Sequence, residues 1–255
     1  MCDKTAAHNC SSSKSFNDFK NICIAHGFTQ RGKAFFRIVG DGVLQVLKFS
    51  YEFRPPHHEI SVGLFSMYGE LDEQWFSAGG CIPRYSVINL TDNIGAVLGE
   101  AVDSNGFHVP YQKRKISIED HIAILAKEGI PKLNQISTQT RLAEAICALD
   151  IARGNKIIWN DGIKYAPFLC AGDYEKAANV ITAILAQHNN ALISYQQTLT
   201  ESEYQKRYTE IQEMNVHYLE KLRIAEEADE QAAIAYAGRN FSNNLKFARF
   251  IRPYL

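Results

Sequence analysis

The densest cluster of titratable side chains in the chain is formed by three consecutive residues, His57, His58 and Glu59. Histidine changes its charge near neutral pH, and an adjacent carboxylate can orient an imidazole or help to hold a metal. Consecutive residues of a strand point to opposite faces, so His57 and His58 are not expected to share one ligand. A solvated loop after Pro55 and Pro56 is the favoured interpretation, and the three residues are catalytic candidates only if the chain is an enzyme.

Three basic residues, Arg31, Lys33 and Arg37, lie beside the aromatic pair Phe35 and Phe36. Arginine binds phosphates and carboxylates through paired hydrogen bonds, so these residues could receive an anion or an acidic partner. Alternatively, Arg37 is the solvent-facing residue of a strand whose neighbours are buried. The second interpretation is favoured.

A heptad pattern is the most informative feature of the C-terminal half. Its positions follow at spacings of 4, 3, 4, 3, 4 and 3: Tyr204, Tyr208, Ile211, Asn215, Tyr218, Leu222 and Ala225. Asn215 stands where a polar residue commonly sets the register of a coiled coil. The seam could bind a partner helix or a second copy of the chain, or it could pack against the helix predicted over Asp173–Gln197. The short link at 198–200 favours the intramolecular hairpin, although a seam this polar can also specify a partner.

The segment Arg239–Leu255 contains bases and aromatics but no acidic residue. Basic and aromatic side chains together can bind single-stranded nucleic acid through charge and stacking. The overall net charge of −1 argues against a dedicated nucleic-acid-binding protein. We therefore expect the aromatics to dock on the body of the protein while the bases face water or the acidic stretch from Glu226 to Glu230. The bases are Arg239, Lys246, Arg249 and Arg252, and the aromatics are Phe241, Phe247, Phe250 and Tyr254.

The chain has 255 residues, of which 46% are hydrophobic and 22% charged. These values are typical of a globular protein and exclude disordered, collagenous and membrane-spanning classes. Six scattered cysteines form no C-x-x-C pair, and no export signal is visible, so we expect reduced thiols and a cytoplasmic location. Cys2, His8 and Cys10 lack a fourth zinc ligand, and nucleotide and metalloprotease motifs are absent, so we expect neither a metal nor a cofactor.

The N-terminal half predicts one helix followed by strands. A capping box at Ser15 begins the helix, and Gly27 ends it in a Schellman motif. Short β-rich runs follow, and Gly40-Asp41-Gly42 is typical of a hairpin connection between the first two. A further strand is expected at 60–68, and a fourth near 85–90.

The C-terminal half predicts helices that begin at recognisable caps. One begins at Ser117 and is ended by Gly129 and Pro131, and another covers Thr138–Ala152. Asp173 and Thr200 begin the two long helices of the hairpin. The fold class is therefore α+β: an N-terminal helix with an antiparallel sheet of about four strands, then a mainly helical half with a long hairpin. We place the α+β domain at 1–130 and the helical extension, packed on it or forming an interaction module, at 131–255.

A set of short motifs lies between Phe16 and Phe53: Gly27-Phe28, Arg31-Gly32-Lys33, Phe35-Phe36-Arg37, Val46 and Phe49. With these motifs the segment resembles a bacterial family catalogued as domain of unknown function 4304. The similarity extends over roughly the first 130 residues, and it implies an α+β fold in a bacterial protein without assigning an activity.

These observations predict a non-catalytic protein-binding protein of a bacterial cytosol, of the immunity, antitoxin or adaptor kind. Its partner would be another protein or a second copy of itself, with no membrane association. An enzyme or nucleotide-binding domain with a pocket on the sheet face is the alternative, and nucleic-acid binding through the basic tail is the second alternative.

Overall fold

The computed structural model describes residues 4–53, 56–71, 85–86, 117–152 and 165–251. They divide into two compact units, which differ from the predicted boundary at residue 130. The first, called here the sheet unit, comprises described residues within Met1–Met67, Leu71–Lys156 and Asn244–Leu255. The second, called here the hairpin unit, comprises those within Tyr68–Glu70 and Ile157–Asn243.

The sheet unit begins with helix α1, Lys4–Ala25. The predicted start at Ser15 is wrong, because Ser15 lies inside the helix and its hydroxyl donates to Glu119 Oε1 at 2.8 Å. The predicted end is confirmed. Gly27 has a φ of 78°, and the Phe28 amide donates to the Cys23 carbonyl at 3.0 Å, as in a Schellman motif.

An antiparallel sheet follows in the order β1-β2-β3-β4-β5, so each strand pairs with its neighbours in sequence. Val39 pairs with Val43 across the predicted hairpin, which confirms that connection. Strand β1 was not predicted, and the fourth predicted strand is represented by β5. The strands are β1 Thr29–Arg31, β2 Ala34–Val39, β3 Val43–Phe53, β4 Pro56–Ser66 and β5 Tyr85–Ser86.

Strand β4 begins earlier than the sequence predicted. His57, His58 and Glu59 lie within it, and they pair with Glu52, Tyr51 and Ser50 of β3. The predicted solvated loop is therefore wrong for this segment. Pairing with the long strand β3 satisfies the backbone hydrogen bonds here, which local sequence signals do not reveal.

The helix that begins at Ser117 does not end at Gly129 and Pro131 as predicted. It runs through α2, Ile118–Ile124, a π-helical turn, Leu125–Gly129, and α3, Ile130–Gln135. Proline cannot donate a backbone hydrogen bond, and its ring clashes with the carbonyl four residues earlier. The π turn, in which the Ile130 amide donates to the Leu125 carbonyl, accommodates the proline without ending the helix.

The core of the sheet unit lies between the sheet and helices α1, α2, α3 and α4, the last of which spans Gln139–Ala152. Phe19 packs edge-on against Phe35, with ring centroids 5.1 Å apart. Cys23 is fully buried in this core, and burial raises the pKa of its thiol, so the cysteine acts there as a small apolar residue.

The hairpin unit is built from helices. Asp173 caps α6 through the Lys176 amide, and Thr200 forms a capping box with Glu203 at the start of α7, so both predicted starts are confirmed. Short α5 and most of α8 were missed. The bounds are α5 Tyr165–Cys170, α6 Tyr174–Thr198, α7 Glu201–Glu226 and α8 Glu230–Phe247. The last residues of α8, from Asn244 onward, belong to the sheet unit.

Helices α6 and α7 pack along each other as the predicted hairpin. Leu199 and Thr200 are extended and reverse the chain, so the two helices are neighbours with opposite directions. Among the helices of the described residues, none is long and apolar enough to cross a membrane.

Candidate interaction surface on the helical hairpin

The heptad seam of α7 lies inside the hairpin. Asn215 is buried, and its Oδ1 lies 2.6 Å from Nδ1 of His188 on α6. An amide oxygen can only accept, so Nδ1 of His188 is the donor. The ring of Tyr218 meets the His188 ring edge-on, with centroids 5.5 Å apart. The central residues predicted to bind a partner therefore hold α6 against α7.

The remaining seam residues differ in how far they are buried. Ile211 is buried and Leu222 is half-buried. Near the turn, Tyr204 is half-buried and Tyr208 is exposed, and their rings lie 6.0 Å apart. Of the predicted partner-binding residues, Tyr208 is the one that the structure leaves exposed.

A second polar cluster of the hairpin unit joins Tyr165 of α5, Lys221 of α7 and Tyr236 of α8 to Glu70. The hydroxyls of Tyr165 and Tyr236 lie 3.3 Å apart, and the Tyr165 hydroxyl donates to Glu70 Oε2 at 3.5 Å. Burial raises the pKa of both tyrosines well above the ordinary value, so both are neutral donors.

Lys221 is the cation of this cluster. It is 4% exposed, its ammonium lies 3.1 Å from Glu70 Oε1, and it lies 5.6 Å from the centre of the Tyr236 ring. The segment that carries Glu70 is itself fastened to α8, because Asn240 donates to the Tyr68 carbonyl at 3.1 Å. The polar groups of the cluster bond to one another, so we assign the cluster a structural role.

The outer face of α6 has a different composition from a typical helix surface. From Ala177 to Thr200 the chain contains no Lys, Arg, Asp or Glu. Ile193 lies on this face and is 57% exposed. Six exposed residues form a stripe at spacings of 3, 4, 3, 4 and 3, called here the outer stripe: Asn179, Thr182, Ala186, Asn189, Ile193 and Gln196.

Helix α7 contrasts with α6. It carries ten charged residues along its length. Exposed apolar residues occur between them: Met214, Val216 and Leu219. Surface helices normally carry charged residues on the solvent face, whereas the core of a protein interface is depleted of them. By this criterion the outer stripe of α6, rather than α7, is the candidate interaction surface.

In the sheet unit, Arg37 is fully buried, so the interpretation that it faces solvent is wrong. Its guanidinium donates to Gln45 Oε1 at 2.8 Å, to the His26 carbonyl at 2.9 Å and to Asn134 Oδ1 at 2.8 Å. It also lies over the Phe28 ring, 4.3 Å from its centre. These contacts join β2 to the end of α1 and to α3, which is a structural role.

The other two predicted anion-binding residues, Arg31 and Lys33, are exposed. The Arg31 guanidinium lies 4.7 Å from the centre of the Phe250 ring, and Phe250 meets Phe36 edge-on at 5.2 Å. The predicted docking of the C-terminal aromatics is thus confirmed at Phe250.

This docking leaves the bases nearby on the surface. Lys246 and Arg249 are exposed, whereas Arg252 lies outside the described residues. Because Phe250 is engaged by Phe36 and Arg31, its ring is not free to stack on a base. The structure therefore adds no support for nucleic-acid binding by the tail.

His57, His58 and Glu59 are placed on β4, but the directions of their side chains lie outside the described part of the structure. Within the described residues, no group of three or more His, Cys, Asp and Glu side chains could hold a metal ion.

Sequence reasoning missed the cluster in which the buried residues Tyr165, Lys221 and Tyr236 meet the exposed Glu70, because its members come from distant segments and no spacing connects them. The outer stripe was also missed, although it had a signal: a run of 24 residues, 177–200, without a formal charge inside a long predicted helix. No family model, no curated protein and no solved structure matches this chain.

Proposed function

We propose that the chain is a non-catalytic protein-binding protein that contacts its partner through the outer stripe of α6. The observation that carries this proposal is the uncharged, exposed helix face around Ile193. Burying an ionised side chain at an interface costs several kcal/mol unless it is paired. A face with no Lys, Arg, Asp or Glu avoids that cost, and its amides can form new hydrogen bonds with a partner.

The hairpin also supplies the rigidity that recognition requires. The buried pair His188 and Asn215 and the capped starts of both helices hold α6 in place. A preorganised surface loses less conformational entropy on binding than a flexible one. Within this class, the net charge of −1 favours an adaptor over an immunity protein against a nuclease, which would commonly be acidic.

The test is affinity purification of the full chain from its native cells, with wild type, Ile193→Lys and a matched control compared. The control is Ile234→Lys, because Ile234 lies on α8 and is 63% exposed, similar to Ile193. We expect wild type and control to retain the same protein in fixed stoichiometry, either a different chain or additional copies of this one, and Ile193→Lys to lose it. Equal retention by all three would contradict the proposal.

A further inference from the structure

Positive charge is concentrated in two segments of the sheet unit. Residues 19–40 and 244–255 contain seven of the 27 Lys and Arg residues of the chain and none of its 28 Asp and Glu residues. The rest of the chain therefore has a net charge of −8, although the whole chain has a net charge of only −1. A separation of positive from negative charge on this scale steers association with charged partners.

The strand register brings Lys48 close to Arg31. Arg31 pairs with Ala34 of β2, and Ala34 pairs in turn with Lys48 of β3. Side chains directly opposite one another on neighbouring strands share a face of the sheet, so Arg31 and Lys48 lie on the same face with only the Ala34 methyl group between them. Two strand spacings separate their Cα atoms, which is about 10 Å.

The C-terminal segment brings Arg249 to this face as well. Residues 248–251 form a turn, because the last amide donates to the first carbonyl at 2.8 Å, and both ends of the turn are buried. Arg249 and Phe250 lie at its tip. The Phe250 ring packs under the Arg31 guanidinium, 4.7 Å from its centre, whereas the Arg249 side chain is exposed beside it.

Four bases form what is called here the basic surface: Arg31, Lys33, Lys48 and Arg249. Lys33 is exposed and lies in the two-residue turn between β1 and β2. Within the part of the chain that the structure describes, none of the four takes part in an ion pair. Like charges held close together repel one another, and this repulsion costs free energy until an anion neutralises them.

We infer that the basic surface binds an acidic segment of a protein partner, whose Asp and Glu side chains pair with the four bases. The Arg31 guanidinium donates no hydrogen bond to any of the described residues, so its N–H groups are available to a carboxylate, which accepts two of them side by side. Because its position over the Phe250 ring is already fixed, Arg31 loses little freedom on binding. The basic surface does not include the outer stripe, so this inference goes beyond the proposed function.

Two observations favour an acidic protein segment over a nucleic acid. The Phe250 ring packs against Phe36 and Arg31 and is not available to stack on a base. A nucleic-acid strand is also a continuous polyanion that extends beyond four bases, and the rest of the chain, with its net charge of −8, repels it. A short acidic segment ends where the basic surface ends, so it avoids this repulsion.

The test measures the binding of a defined acidic peptide to the purified full chain. The probe is a short fluorescein-labelled peptide of alternating Asp and Gly residues, and its counterpart has Asn in place of Asp. Fluorescence anisotropy follows binding at low salt and at physiological ionic strength. We expect saturable binding of the Asp peptide that weakens as salt screens the charges, and no binding of the Asn peptide.

Two triple variants locate the binding site. The first removes three bases of the basic surface, and the second removes three exposed bases elsewhere in the sheet unit, so both have the same net charge. They are Arg31→Gln/Lys48→Gln/Arg249→Gln and Lys14→Gln/Lys127→Gln/Arg141→Gln. The first should weaken peptide binding by about tenfold or more, because each exposed ion pair contributes a factor of roughly two to five. The second should stay within about twofold of wild type.

A milder variant guards against misfolding. Lys33→Gln/Arg249→Gln changes only exposed side chains and should still weaken binding by about fourfold or more. Far-UV circular dichroism verifies that every variant is folded.

The outcomes decide between the possible ligands. A wild type that does not bind the Asp peptide overturns the inference, and so does equal affinity of wild type and the first triple variant. A DNA oligonucleotide should bind more weakly than the peptide. If it binds more tightly and the first triple variant abolishes that binding, the ligand is a nucleic acid and the acidic-segment inference is overturned. Because the outer stripe takes no part in this assay, its result does not depend on the proposed function.

Discussion

The ammonium of Lys221 on α7 lies 3.1 Å from Glu70 Oε1, and this ion pair connects two segments that are far apart in the sequence. Lys221 is almost fully buried, whereas the Glu70 side chain is 47% exposed. An ammonium out of water needs a nearby anion, because its desolvation costs several kcal/mol. The segment Tyr68–Glu70 belongs to the hairpin unit, and Asn240 of α8 also donates a hydrogen bond to its Tyr68 carbonyl.

Replacing Glu70 with Gln should therefore destabilise the protein. Glutamine has the shape of glutamate but removes the anion beside Lys221. We expect the unfolding free energy to fall by about 1–3 kcal/mol. The carboxylate of Glu220, 3.4 Å from the Lys221 ammonium, compensates in part. Urea denaturation followed by circular dichroism measures it. In Lys221→Met the same Glu70→Gln change should cost much less, and an equal cost in both backgrounds would refute the coupling.

Gly40 should not tolerate a side chain. Its φ is +47°, and a Cβ would lie 2.0 Å from the Ser137 carbonyl oxygen, so Gly40→Ala forces the backbone apart. We expect a loss of about 2–4 kcal/mol in the urea experiment. Gly172→Ala is the matched control: its φ is +75° with open space around it, so it should cost only about 1 kcal/mol. Equal losses would contradict the steric explanation.

Ala228 is a position where glycine should improve stability. It has a φ of 49° between α7 and α8, and the Asp229 amide donates to the Ile224 carbonyl at 3.0 Å, as in a Schellman ending. Ala228→Gly should stabilise the protein by about 1 kcal/mol, because glycine adopts this conformation without strain. Ala235→Gly, in the exposed part of α8, should destabilise it by about 1 kcal/mol. If Ala228→Gly lowers the unfolding free energy instead, the backbone at position 228 is not strained.

Arg37 and Arg31 should respond differently to lysine. Lysine cannot reproduce the three directed hydrogen bonds of the buried Arg37 guanidinium, so Arg37→Lys should lose about 2–4 kcal/mol of unfolding free energy. Arg31→Lys, on the surface, should stay within about 0.5 kcal/mol of wild type. If Arg37→Lys unfolds at the wild-type urea concentration, the structural role of Arg37 is wrong.

Asp173 should make stability depend on acid pH. Its pKa is lowered chiefly by the Lys176 side chain, so its stabilising effect is present above the usual value of 3.8 and is lost as the pH falls through the lowered pKa. Asparagine still caps a helix but carries no charge. The difference in unfolding free energy between wild type and Asp173→Asn should therefore shrink as the pH is lowered from about 5 to about 2. Asp173→Ala should cost about 1 kcal/mol more than Asp173→Asn at pH 7. A difference between wild type and Asp173→Asn that is constant with pH would contradict the assigned ion pair.

Features that depend on neighbouring residues were predicted correctly. The Schellman ending at Gly27, the hairpin at Gly40-Asp41-Gly42 and the capping box at Thr200 each require a particular residue at a particular offset, and backbone geometry does the rest. The α6–α7 hairpin was also predicted, because a short link leaves two amphipathic helices little choice of neighbour.

Most of the wrong predictions concern residues whose structure depends on contacts with distant segments of the chain. Ser15 has the sequence of a helix cap, yet it lies inside α1 and its hydroxyl donates to Glu119, which is 104 residues away. Pro131 is the exception, because the π turn directly before it is local and lets the helix continue. The alternation of β2 predicts a solvent-facing Arg37, but segments before and after the strand enclose it.

The amino-acid sequence by itself determined where most helices and strands form, because caps, turns and periodicity act over a few residues. It also contained the uncharged run on α6, although which side of that helix stays exposed was decided by the packing of α7. The partners of Arg37 and Lys221 were decided by the tertiary structure alone, because a buried charge is stabilised by whichever polar groups the fold brings within hydrogen-bonding distance, and sequence separation does not limit that choice.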